Sequence, residues 1–157
     1  MDRKIKGFSL IELLIIISII STLMAFSVNW YIKYEQDRRL TETANSLVAD
    51  LQWAKEHSIS GDNLYGVYID INNKNYVVFK NLDLGCSFNA QNESLRTRDL
   101  PNGLSFDNTQ SVTFLFDRRG YPLSSSCGFG ASTIILKNRN NLKKNIIVSR
   151  YGRIRVE

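Results

Sequence analysis

The chain has 157 residues, about one domain's worth, and a formal net charge of +5. With 43% hydrophobic and 22% charged residues, nine Gly, two Pro and two Cys, it is no disulfide-dense miniprotein, collagen-like repeat or low-complexity disordered chain. One His and two Cys are too few for a Cys/His zinc centre, so no metal and no cofactor is expected. The charge is concentrated at the ends: residues 1–7 carry +2, residues 137–157 carry seven basic residues against one acid, and the stretch between them is mildly acidic at −3.

Residues 8–28 are nearly all apolar, interrupted by Ser9, Glu12, Ser18, Ser21, Thr22 and Ser27. As a helix these 21 residues would rise about 32 Å, enough for a hydrocarbon core of about 30 Å. A cleaved secretory signal is the alternative, but no small-residue A-x-A site follows the apolar run. Arg3, Lys4 and Lys6 vote for a cytoplasmic N-terminus, with Lys33, Arg38 and Arg39 beyond the span voting against. The reading is a single membrane-spanning helix over residues 8–28, a short basic segment over 1–7, and a globular part over 29–157 beyond the membrane.

Glu12 is the anomaly. A carboxylate inside an apolar span costs on the order of 3 kcal/mol and marks a functional residue by default. Set in Gly7-Phe8-Ser9-Leu10-Ile11-Glu12 behind a basic leader, it resembles the type IV prepilin signal. That resemblance implies cleavage after Gly7 by a prepilin peptidase and N-methylation of Phe8. It further implies that Glu12 pairs with the Phe8 amine of a neighbouring subunit. Many major pilins kink this helix with a proline; here only Pro101 and Pro122 occur, which implies a straighter one.

The helix is expected to continue to about Ser58. Leu40, Ala44, Leu47, Leu51, Ala54 and Ser58 form one stripe at spacings of three and four, and Gly61 supplies a stop. Alternation over residues 65–71 and the run 76–79, joined by the polar turn 72–75, predicts a hairpin. Residues 104–106 and 112–116 read as strands, the second closed by the turn 117–120; residues 133–136 and 146–148 read as a second hairpin. Residues 84–100 show the weakest pattern and are expected to be a loop. No internal repeat is evident. The fold class is α+β, a long N-terminal helix on an antiparallel sheet. Together with the tail Val148-Ser149-Arg150-Tyr151-Gly152-Arg153-Ile154-Arg155-Val156, this layout resembles the GspH/FimT group of minor pilins and pseudopilins. Membership would make other minor and major pilin subunits its partners.

Outside the cytoplasmic membrane Cys86 and Cys127 can hold a disulfide, with two unpaired thiols as the alternative. His57 has no Cys or Asp at a useful spacing, no nucleophile elbow or phosphate loop occurs, and no enzymatic activity is expected. The basic tail remains. If residues 151–156 are extended, Tyr151, Arg153 and Arg155 share one face, and the two arginines stand about 6.7 Å apart, near the spacing of successive phosphates. Lys143 and Lys144 would extend that surface, and Arg150 would join it if Gly152 bends the chain. The tail resembles the Gly-Arg-x-Arg ending of DNA-binding FimT-like pilins of natural transformation. Two functions follow: capture of double-stranded DNA through its phosphates, or a purely structural role as a GspH-like pseudopilin or priming minor pilin.

Overall fold

A computed structural model describes residues 9–83 and 85–157. The predicted leader, Gly7 and Phe8 lie outside the described residues. One helix, α1, runs unbroken over Leu10–Ser60, and nine strands follow. The chain divides into two compact units, residues 1–35 and Gln36–Glu157.

In the first unit the helix exposes Leu, Ile and Met side chains all round, as a helix surrounded by lipid does. Three of its polar interruptions are satisfied locally: Ser18 donates to the Ile15 carbonyl, Ser21 to Ile17 and Thr22 to Ser18. Each of these three hydroxyls bonds back about one turn and so does not meet hydrocarbon unpaired. Among the described residues no side chain pairs with Glu12.

The second unit begins where the apolar stripe does. Leu40, Ala44, Leu47, Leu51 and Ala54 are all at most 1% exposed, and the helix stops at Ser60, where the Gly61 amide bonds the His57 carbonyl. The strands are β1 Leu64–Asp70, β2 Asn75–Asn81, β3 Glu93–Asp99, β4 Leu104–Phe106, β5 Val112–Phe116, β6 Pro122–Leu123, β7 Ser132–Asn138, β8 Lys143–Val148 and β9 Ile154–Val156. They form two antiparallel sheets rather than the one expected, in the orders β3-β2-β1-β5-β6 and β4-β7-β8-β9. The helix stripe packs against both: Val67, Ile69, Val78 and Phe114 of the first sheet and Leu136, Ile146 and Val148 of the second join one core with it.

The first sheet is buried on its other face too. Val77, Phe79 and Leu115 pack there with Cys86 and Phe88, under the loop 82–92. A disulfide joins Cys86 to Cys127 and ties this loop to the one after β6. Asn81 and Asn92 hold the loop from beneath, Asn81 donating to the Asp83 and Gly85 carbonyls and accepting from Asn92.

Residues 84–100 are not all loop. Residues 93–99 form β3, an edge strand exposed along its whole length. Its side chains meet no core on either face, so the apolar alternation that marks a half-buried strand is missing. Arg96 and Arg98, two residues apart and therefore on one face, reach back to the helix, 2.6 and 3.0 Å from the Asp50 carboxylate. Asp50 is 3% exposed and also accepts from the Tyr76 hydroxyl. Burial, reinforced by that bond to Asp50, pushes the Tyr76 hydroxyl far above its ordinary pKa. The lone His57 stacks on Trp53 and donates to its carbonyl, as a helix-surface residue.

Candidate nucleic-acid interface

The charged tail does not run extended from Tyr151. Residues 149–153 form a tight turn between β8 and β9, so only Ile154–Val156 is strand. The Ser149 amide bonds the Arg153 carbonyl and the Gly152 amide the Ser149 carbonyl; the Ser149 hydroxyl accepts from the Arg153 amide. Gly152, at φ +73°, makes this turn possible. Tyr151 is therefore removed from the face that Arg153 and Arg155 were expected to share with it.

The same construction occurs between β5 and β6. There the Asp117 amide bonds the Tyr121 carbonyl, the Gly120 amide bonds the Asp117 carbonyl, and Asp117 Oδ1 accepts from the Tyr121 amide. Gly120 is at φ +81°. Asp117-Arg118-Arg119-Gly120-Tyr121 and Ser149-Arg150-Tyr151-Gly152-Arg153 are thus twin turns, each an oxygen-bearing side chain, an arginine, a glycine in the left-handed region and a return. One turn belongs to each sheet, and they meet glycine to glycine: a Cβ on Gly152 would lie 2.0 Å from the Gly120 carbonyl oxygen. The end of α1 supports both. Lys55 Nζ donates to the Gly152 carbonyl at 2.8 Å, and Lys55 and Ile59 lie directly against Gly120.

This contact brings cations and rings together. The Arg119 guanidinium sits 5.3 Å from the centre of the Tyr121 ring and that of Arg150 5.5 Å from the Phe129 ring. Tyr121 and Phe129 meet edge to face with centroids 6.1 Å apart. Arg119, Tyr121, Phe129 and Arg150 therefore form a continuous row.

Residues 2–28 match the prokaryotic N-terminal methylation motif, and residues 43–152 match the family described as type II transport protein GspH. The chain belongs to the GspH family. Its fold is similar to that of the type IV minor pilin FimU from Pseudomonas aeruginosa strain PAO1, with a TM-score of 0.57, 19% identity, and coverage of 79% of this chain and 92% of that one. It is also similar to the minor pseudopilin EpsH of the type 2 secretion system of Vibrio cholerae, with a TM-score of 0.51, 14% identity, and coverage of 76% and 96%. No curated protein sequence matches the chain significantly. This GspH-family chain is a minor pilin or pseudopilin, anchored in the inner membrane by a single apolar helix with its globular domain exposed.

Of the five basic residues expected in one surface, this GspH-family fold unites some and separates others. Arg150 and Arg153 share a turn and have no acidic partner among the described residues. Arg155 is exposed on β9 and lies 3.2 Å from Glu157. Lys143 and Lys144 are consecutive on β8 and so point to opposite faces, correcting their assignment to one surface. Lys143 is moreover held by Asp107 at 2.6 Å, and its hydrogen bond keeps the Asp107 carboxyl below the usual carboxylate pKa. Arg119, Tyr121 and Phe129 were not singled out. The echo of Arg-Arg-Gly-Tyr in Arg-Tyr-Gly-Arg was the available sign; that two separate hairpins meet at their glycines is a tertiary fact.

Proposed function

We propose that this minor pilin binds extracellular double-stranded DNA through the twin turns and serves DNA uptake in natural transformation. Glu12 pairs with the Phe8 amine of a neighbouring subunit after a prepilin peptidase has cut behind Gly7. The observation that carries the DNA reading is the meeting of the two arginine-bearing turns, glycine against glycine, which gathers Arg119, Arg150 and Arg153 at one place. Arg119, Arg150, Arg153 and Arg155 supply planar guanidinium forks suited to phosphate. The pairs Arg119–Asp117 and Arg155–Glu157 are solvent-exposed on the arginine side. Such pairs are worth about 0–1 kcal/mol, so a phosphate can replace the carboxylate. Contacts to phosphate position a protein without reading bases, and little sequence preference is expected. The carboxyl partners of Arg155 and Lys143 favour the second reading, in which the charges only hold the fold and its contacts with other pilin subunits.

Titration of fluorescent duplex with the full chain in detergent micelles separates the two. Four neutralised phosphates give a slope of log affinity against log salt near −3.6, an affinity loss of roughly 150-fold between 50 and 200 mM salt. Arg153→Gln should change that slope by about 1. Absence of salt-sensitive binding, with a filament or secretion defect in Arg153→Gln, leaves the structural role.

A further inference from the structure

We propose that Tyr121, Phe129 and Tyr151 form a stacking platform for an unpaired nucleobase, so that the site prefers single-stranded DNA, or the frayed end of a duplex, over intact duplex. The proposal rests on the phosphate-binding reading above and adds a base-binding element to it. These three rings and Arg150 line an open cleft of ≈ 370 Å³. Phe129 is 56% exposed and Tyr151 79% exposed, on loops that converge from different hairpins. Two large rings facing water at one spot lose burial that either could have had elsewhere.

The platform is rigid before any ligand arrives. Phe129 lies in the loop pinned by the Cys86–Cys127 disulfide. Around it the Ser124 amide bonds the Gly128 carbonyl, the Cys127 amide the Ser124 carbonyl and the Gly130 amide the Pro122 carbonyl, and Phe129 bridges to Leu123. Tyr121 and Tyr151 sit in the twin turns, whose backbones are locked against each other. A preorganised ring loses little entropy when a base stacks on it.

The lining also selects the ligand. Among the described residues it contains no carboxylate and no amide side chain, the groups that would hold a sugar's hydroxyls. Arg150 beside Phe129 repels an ammonium ligand. What fits is a flat π-face joined to a negative charge, with Arg150 and Arg119 placed for the phosphate on either side of the stacked base. Base–aromatic stacking is tolerant of sequence, because every base has a π-face. Within a duplex those faces are already covered, so only an unpaired base can use the platform.

The test is fluorescence anisotropy of the full chain in detergent micelles against three probes of equal length: an oligo-dT strand, an abasic strand of the same backbone charge, and a blunt duplex. Stacking of a base on a ring changes affinity by roughly 5- to 150-fold on alanine substitution. The dT strand should therefore bind at least about fivefold tighter than the abasic strand. Phe129→Ala or Tyr151→Ala should bring that ratio close to one, and Phe129→Trp should preserve it. Near-ultraviolet circular dichroism and the melting temperature check that each variant is folded; Tyr151 is exposed enough for its removal to leave the core intact. Equal affinity for dT and abasic strands overturns the platform, and salt-sensitive duplex binding in the same experiment shows that the phosphate reading survives it. Failure to bind any of the three sinks both. A Phe129→Ala variant that keeps the dT preference but no longer enters filaments overturns the proposal in favour of a subunit contact.

Discussion

Gly152→Ala is the sharpest test of how the two turns are held. At φ +73° an alanine pays for the left-handed conformation, about 1–2 kcal/mol. Its Cβ would also sit 2.0 Å from the Gly120 carbonyl oxygen, more than 1 Å inside contact distance, against backbone that cannot rotate away. Relieving that overlap means separating two hairpins that share Lys55 as a floor, and overpacking of this kind costs about 1–3 kcal/mol. The total is about 2–5 kcal/mol. With a urea dependence of about 2 kcal/mol per molar, the unfolding midpoint should drop by about 1–2.5 M. Gly128→Ala is the control, since its nearest neighbours would be serine hydroxyls at 3.7 and 3.9 Å and its backbone is unstrained. Both variants are compared with wild type by urea titration in the same detergent, followed by tyrosine fluorescence. A Gly152→Ala protein within about 0.5 kcal/mol of wild type, the range of ordinary surface changes, would refute the abutting-turn geometry.

Replacing both cysteines by serine opens a loop with a sequence separation of 41 residues and should cost about 4 kcal/mol. In the native oxidised protein neither thiol should react with an alkylating reagent before reduction, and immediate labelling would rule the bridge out. Asp50→Ala should cost about 3 kcal/mol; Arg96 and Arg98, 48% and 45% exposed, can turn to water, but the Tyr76 hydroxyl is left buried without its acceptor. Thermal melting checks this, and a fall no larger than in an Arg98→Ala variant would count against the buried bond. Asp107 has a depressed folded pKa, so its tie to Lys143 contributes above the unfolded value near 3.9 and is lost as pH falls through the folded one. Asp107→Asn should accordingly destabilise at neutral pH and not in strong acid; equal effects at both would contradict the pairing. Glu12→Ala should insert into membrane more readily yet fail to enter filaments, and assembly at wild-type levels would exclude its pairing role.

The helix stripe was legible because burial against two sheets imposes one apolar phase on residues 40–58. The hairpins were legible through alternation and polar turns. The edge strand β3 was not, because solvent on both faces erases the pattern, and β6, two residues long, is shorter than any period. Asp50 was hidden differently. It lies three residues after Leu47 and four before Ala54, inside the stripe itself, and a buried acid there was a sign that a cation must cover it. The basic tail was visible as charge, but its geometry depended on a glycine whose partner lies 32 residues away in another hairpin, at Gly120.

The way Arg96 and Arg98 fold back onto Asp50 bears on crowding. A filament protein works among many copies of itself and its relatives, where an open sheet margin is a template for runaway strand addition. β3 leaves such a margin, yet its register with β2 shifts between Val78 and Phe79, and Glu93, Arg96, Arg98 and Asp99 stud its length. A second strand laid alongside would have to desolvate those charges and follow an irregular ladder. Strand addition at this margin is thereby discouraged.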